Sequence, residues 1–137
     1  MITNMNTRGV SLIETVVTLG VVVLLIMGLV VGMTSSLKNA QASKDRSLAV
    51  QSAQQALEIV RQQRDSNWTT FVQKGTTGGT EYCMGDDGVL TSTGSCSRKV
   101  TFTLIDSGQM NVAVSVSWIE GSVTKNVSLQ TTYTNWK

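Results

Sequence analysis

Residues 8–33 read RGVSLIETVVTLGVVVLLIMGLVVGM, an apolar stretch with one carboxylate, Glu14, near its start. No charged residue occurs from Thr15 to Leu37, a run of 23 residues. As a helix that rises about 1.5 Å per residue, this run is about 34 Å long, close to the thickness of the hydrocarbon core of a bilayer. A lone strand would leave its backbone unpaired in lipid, so the sequence predicts one membrane-spanning helix.

Two alternatives concern the processing and the orientation of this run. Residues 40–42, AQA, resemble the cleavage site of a secretory signal peptide, which would release a domain that begins at Ser43, although signal-peptide apolar regions are shorter, about 7–15 residues. Arg8 precedes the run and three basic residues follow it between positions 38 and 46, so positive-inside counting favours a cytoplasmic C-terminal part. The two cysteines favour an exported one.

The composition excludes several classes of function. The 137 residues carry 11 basic and 9 acidic side chains, a near-neutral balance without the basic patch that binding to DNA would need. Histidine is absent, so the commonest general base and metal ligand is missing. No phosphate-binding loop and no carboxylate cluster occurs in the sequence. We expect a small exported or membrane-tethered protein that is not an enzyme and holds no cofactor or metal.

Glu14 is the costly residue of the apolar stretch, because an ionisable group inside a membrane segment costs about 2.5–3.5 kcal/mol on insertion scales. A position at the membrane interface is its simplest explanation. The string GVSLIE (residues 9–14), followed by a long apolar helix, resembles the processing signature of type IV pilins and type II secretion pseudopilins. In that family a prepilin peptidase removes a short leader that ends in glycine. The new hydrophobic N-terminus is N-methylated, and the fifth mature residue is glutamate.

The resemblance implies a leader at residues 1–9, cleavage between Gly9 and Val10, and Glu14 as the fifth mature residue. It also implies that the Glu14 carboxylate pairs with the N-terminal amine of a neighbouring subunit as the filament assembles. A low dielectric makes such a pair strong and an unpaired partner costly. The glutamate would then be tolerated in the membrane because it sets the register of assembly.

Three glycines, Gly20, Gly28 and Gly32, lie within the apolar helix, from which proline is absent although many major pilins carry one there. We expect the helix to melt locally at these positions during assembly, or to pack closely against another helix at the pair Gly28 and Gly32. Glycine is also common in membrane helices that have neither role.

After Lys38 the sequence becomes polar but keeps helical spacing. One apolar stripe repeats along it: Ala49, Ala53, Leu57 and Val60. Poor helix formers at residues 65–67 predict the end of the helix there. Residues 10–37 are thus predicted as a transmembrane and assembly helix, and residues 38–67 as the amphipathic helix of a head domain. The end of this helix, residues 56–68, resembles that of PilV-type minor pilins.

Residues 68–97 are predicted as a loop region. Cys83 and Cys96, 13 positions apart in an exported domain, most simply form one disulfide. The sequence Asp86-Asp87-Gly88 reads as a solvated turn, since it lacks the alternating oxygen ligands of a calcium loop. Whether it binds a cation is left open.

Residues 98–137 alternate apolar and polar side chains in three runs that are separated by turns at residues 107–108 and 120–122. The predicted fold is therefore α+β, a pilin-like lollipop with one long N-terminal helix packed on a small antiparallel sheet of three strands. Trp118, Tyr133 and Trp136 are expected to be core or rim residues rather than ligand platforms.

The predicted function is that of a minor pilin, a structural subunit of a type IV pilus. The resemblance implies a single-pass precursor in the bacterial inner membrane that later joins an extracellular pilus. Its implied partners are other pilin subunits, the prepilin peptidase, an inner-membrane assembly platform and membrane lipid before assembly. The alternatives are a minor pseudopilin of type II secretion and an unrelated membrane-anchored or secreted binding domain. A ligand such as DNA or a surface is left open.

Overall fold

The computed structural model describes residues 11–92 and 94–136, which divide into two compact units between Gln41 and Ala42. Helix α1 (Leu12–Ser66) belongs to both units. The second unit, called the head below, continues with one short helix and five strands: α2 (Trp68–Val72), β1 (Thr80–Met84), β2 (Leu90–Thr91), β3 (Arg98–Asp106), β4 (Gln109–Glu120) and β5 (Val123–Thr134).

The five strands form one antiparallel sheet in the order β2-β1-β3-β4-β5. Strands β3, β4 and β5 are the three alternating runs that the sequence predicts. Glu120 pairs with Val123, so β4 and β5 are joined by a two-residue turn, and its first residue, Gly121, has a φ of +63° that glycine adopts without strain. The sheet ends at β5 on one side and at β2 on the other.

The α+β class is confirmed, but the prediction of three strands is wrong. The segment predicted as a loop, residues 68–97, supplies α2, β1 and β2. On β1, Met84 is buried and Tyr82 is half-buried, opposite Val100 of β3. The alternation in β1 covers only five residues, with glycines on both sides, so it is a weak signal in the sequence. Pairing with β3 stabilises β1 more than the strand preference of its own residues does.

The head buries a stripe of small side chains on α1 against the sheet. The stripe consists of Ala49, Ala53, Ala56 and Val60. Leu57, which the predicted stripe included, is half-buried, and Ala56 takes its place. At about 100° per residue, Ala56 lies nearer the middle of this helix face than Leu57 does. The sheet contributes further buried side chains: Val100, Phe102, Met110, Val112, Val114 and Val116.

Phe71 of α2 is the centre of an aromatic cluster. Its ring lies 5.8 Å from both Phe102 and Tyr133, in edge-to-face geometry with each. The Tyr133 hydroxyl donates a hydrogen bond to the Leu57 carbonyl of α1 at 2.8 Å. Burial raises the pKa of this hydroxyl, and the Arg64 guanidinium, 5.3 Å from the ring centre, partly opposes that rise. The cluster therefore joins both helices to β3 and β5.

Candidate functional site

The N-terminal part of α1 presents an uncovered apolar surface. Each residue from Ser11 to Ala40 is exposed. Within this part, α1 is long and apolar enough to cross a membrane by length and composition, and none of the qualifying stretch is buried inside the described chain. Apolar surface costs about 25 cal/mol per Å² in water, so this segment needs lipid or other helices around it. The predicted helix is present, and it could serve as a membrane anchor.

Glu14 lies in the first turn of α1 and is exposed. The backbone N–H groups of Glu14 and Thr15 donate to the Ser11 carbonyl at 2.9 and 3.2 Å. The Glu14 side chain makes no hydrogen bond or ion pair with residues 11–92 or 94–136. A carboxylate in a first turn gains about 0.3–1 kcal/mol from the helix dipole. The spacing from Ser11 to Glu14 is also that of a capping box, a local signal that the assembly interpretation did not use.

The remaining predicted positions of this segment divide into two groups. Gly9 and Val10, the predicted processing site, lie outside the described residues. Gly20, Gly28 and Gly32 lie in α1, and a Cβ atom at any of them would meet nothing within 4 Å. No contact within the described chain therefore requires glycine there. Melting and close packing against another subunit stay predictions.

The predicted disulfide between Cys83 and Cys96 is confirmed. Cys83 lies on β1, and Cys96 precedes β3, so the crosslink ties the hairpin of β1 and β2 to the start of the next strand. A closed loop of this size contributes about 3 kcal/mol in the loop-entropy model. The crosslink thus stabilises the part of the sheet that has the shortest strands.

The Asp86-Asp87 turn connects β1 to β2. The Asp87 carboxylate accepts a hydrogen bond from the Val89 N–H at 3.0 Å, which closes the turn on itself. Gly88 has a φ of +78°, and a Cβ atom there would lie 3.0 Å from Ile59 of α1. In the part of the chain that the structure describes, no group of three or more acidic or cysteine side chains could hold a metal ion. This turn is packed against α1.

Arg98 of β3 contacts this turn and is buried, with 6% of its surface exposed. Its guanidinium donates to the carbonyls of Met84, at 3.3 Å, and of Gly85, and to the Ser52 hydroxyl of α1 at 3.2 Å. It also lies 3.5 Å from the exposed carboxylate of Asp86. No sequence motif singles out this arginine. Its contacts give it a structural role that joins α1, β3 and the turn.

A cleft of about 240 Å³ lies beside the ends of α1 and β5. It is lined by Arg64, Asp65, Ser66, Asn67, Trp68, Thr134, Asn135 and Trp136. Arg64 and Asp65 form an ion pair at 2.8 Å. Trp136 is 65% exposed, so it is a rim residue, whereas Trp68 is half-buried and its indole N–H donates to the Ser107 carbonyl at 3.3 Å. The sequence did not predict this cleft.

Comparisons of the chain with models of protein families, with curated proteins and with solved structures found no match.

Proposed function

We propose that this chain is a minor pilin, a structural subunit of a type IV pilus. In this proposal, the N-terminal part of α1 anchors the precursor in the bacterial inner membrane, a prepilin peptidase cleaves after Gly9, and the subunit then joins an extracellular filament. The observation that carries the proposal is the position of Glu14, a lone carboxylate in the first turn of a helix whose next residues, 15–37, are uncharged and all exposed. The role is structural and needs no catalytic residue or cofactor.

The energetics of the apolar segment support this proposal. Its exposed side chains lose contact with water first in lipid and then among the helices of other subunits. Cleavage after Gly9 would create a cationic amine at Val10, four residues or about one helical turn from Glu14. In an apolar filament core, that amine on one subunit and the carboxylate on the next would form an ion pair. The attraction between them offsets the cost of burying each charge. An unpaired Glu14 would oppose incorporation.

The head supports an extracytoplasmic location. The Cys83–Cys96 disulfide belongs to an oxidising compartment such as the bacterial periplasm. Positive-inside counting favours the opposite orientation, but it is a rule for short loops, and long C-terminal domains translocate largely regardless of charge. We therefore orient the proposed precursor with its N-terminus in the cytoplasm and its head outside.

Processing is tested by mass spectrometry of the intact, membrane-extracted protein and of its N-terminal peptide, from cells with and without an active prepilin peptidase. We expect a peptidase-dependent N-terminus at Val10, heavier by one methyl group. A Gly9→Val variant, which leaves every described residue unchanged, is expected to keep the leader. An N-terminus at Met1 or at Ser43 in both strains would contradict the proposal and favour a plain anchor or a secreted domain.

Assembly is tested by quantifying the subunit in filaments sheared from the cell surface. Glu14→Gln keeps the size of the side chain and removes its charge, so we expect normal membrane insertion and a loss from filaments on the order of tenfold, which corresponds to about 1.4 kcal/mol. Thr15→Val is the matched control, because the Thr15 hydroxyl bonds only to the Leu12 carbonyl of its own helix. Recovery of both variants at the wild-type level would refute the pairing role.

A further inference from the structure

We propose that the cleft at the ends of α1 and β5 binds a neutral saccharide, most simply one sugar ring at the end of a glycan. This inference is independent of the processing and assembly roles. The cleft combines two indole rings with an ion pair, two amides and two hydroxyls. Its volume of about 240 Å³ is slightly below the roughly 300–1,000 Å³ of sites for drug-sized ligands, which suits a single ring.

The apolar half of the cleft is aromatic. Trp136 is 65% exposed, so a ligand that covers its ring removes a large apolar surface from water. The Trp68 indole N–H is bonded to the Ser107 carbonyl and the ring packs against Phe71, 5.6 Å between ring centres, so the half-exposed ring is held in place at the cleft. A sugar ring has C–H faces that pack against such indole surfaces. None of the described residues that line the cleft has an aliphatic side chain, which makes it a poor site for a purely hydrocarbon ligand.

The polar half of the cleft offers both donors and acceptors. Asn67 accepts a hydrogen bond from the Thr70 N–H through its side-chain oxygen at 3.1 Å, and its amide nitrogen is a donor. The Ser66 hydroxyl donates to the Gln63 carbonyl at 2.8 Å and can accept from a ligand, and the Thr134 hydroxyl, which lines the same cleft, can donate and accept. Sugar hydroxyls also donate and accept at each position, so they match this mixed set better than a ligand with acceptors alone.

The charge of the cleft favours a neutral ligand. Among the described residues, Arg64 and Asp65 are the only charged ones that line it, and their ion pair at 2.8 Å cancels the charge that they contribute. The Arg64 guanidinium is also held over the Tyr133 ring, at 5.3 Å from the ring centre. The Asp65 carboxylate would repel an anion, and the Arg64 guanidinium would repel a cation. A neutral polyhydroxylated ring meets neither repulsion and can bond to both groups.

The test uses the full chain in a polyacrylate amphipol, because alkyl glycoside detergents would themselves supply a sugar and phosphatidylcholine would supply choline. Methyl glycosides of glucose, galactose and N-acetylglucosamine are titrated, and binding is followed by saturation-transfer NMR of the sugar protons. We expect saturable binding of at least one of them with a Kd of about 1–10 mM. Trp136→Ala is expected to weaken it about tenfold or more, while Trp136→Phe stays within about threefold.

Ile119→Ala is the matched control, since Ile119 is 77% exposed and lies outside the cleft, and we expect no change in affinity. Trp136 is a rim residue, so its replacement leaves the core intact, which the circular dichroism of the head verifies. The proposal is overturned if none of the three sugars binds saturably up to about 50 mM, or if Trp136→Ala binds like the wild type. Saturable binding of choline in place of the sugars would overturn it too, because that result would make the cleft an aromatic cage for cations.

Discussion

Replacing Arg98 by methionine removes the buried guanidinium of β3 and keeps an unbranched apolar side chain. The variant loses the hydrogen bonds to the Met84 and Gly85 carbonyls and to the Ser52 hydroxyl. The two carbonyls belong to the end of β1 and its turn, and the hydroxyl belongs to α1. The substitution therefore removes the hydrogen bonds by which β3 is joined to both of these elements. We expect the head to fold but to be clearly less stable.

The magnitude follows from these contacts. Hydrogen bonds that involve a charged group are worth about 1.5–3 kcal/mol each, so three of them amount to several kcal/mol. The variant also avoids the cost of burying a charge, and methionine retains part of the packing of the arginine stem. We therefore expect a net loss of about 2–4 kcal/mol in the free energy of unfolding. In a unit of this size, a loss of 1 kcal/mol lowers the melting temperature by about 4–8 °C, so we expect a fall of at least about 8 °C.

The assay is thermal unfolding of the full chain in micelles, followed by near-UV circular dichroism. All tryptophan, tyrosine and phenylalanine residues lie between positions 68 and 136, so this signal reports on the head alone. Lys99→Met is the matched control on the same strand. Lys99 pairs with Glu81 at 2.7 Å, but both side chains are largely exposed, and such pairs contribute about 0–1 kcal/mol.

Two results would refute this reasoning. The first is a melting temperature for Arg98→Met within about 3 °C of the wild type, which would mean that water replaces the lost bonds at little cost. The second is an equal loss in Arg98→Met and Lys99→Met, which would mean that positive charge on β3, rather than the buried contacts, stabilises the head.

Three further perturbations test other parts of the head. Replacing Cys83 and Cys96 by serine should lower the free energy of unfolding by about 3 kcal/mol, and the wild type in reductant should show the same loss in the same melt. Burial raises the pKa of Tyr133, so the native state keeps this proton where the unfolded chain has released it. Stability should thus be full below about pH 10 and fall as the pH rises through the folded-state pKa, and denaturant titrations of Tyr133→Phe should lack that fall. Gly88→Ala places a side chain at a φ of +78° against α1 and should cost about 1–2 kcal/mol in chemical unfolding, whereas Gly78→Ala, which meets no atom within 4 Å, should be close to neutral.

The parts of the fold that were predictable have strong local patterns. The apolar run and the 3.6-residue stripe predict α1, which ends at Ser66, one residue before the predicted end. Strands β3 to β5 alternate over nine to twelve residues each, long enough for the period of two to be unmistakable. The disulfide followed from the cysteine count.

The parts that were not predictable depend on contacts between distant residues. Strand β2 has two residues and exists because β1 lies beside it. In the sequence, Arg98 resembles any polar residue at the start of a strand. Its side chain is buried because the turn after β1 and the helix α1 both pack against it. Trp68 and Trp136 are 68 positions apart, so their common cleft has no signature in sequence spacing. Tertiary contacts decide these features, and local preference does not reveal them.

The hydrogen bond from Tyr133 to Leu57 joins residues 76 positions apart, and it has a consequence for folding in the cell. At about 5–20 residues per second, roughly 4–15 s separate the synthesis of these two residues. During that time the aromatic cluster beneath α1 lacks Tyr133, because β5 is made after the other four strands of the sheet. The head therefore cannot close until β5 has been made. A product truncated before β5 would expose an unfinished core to proteases.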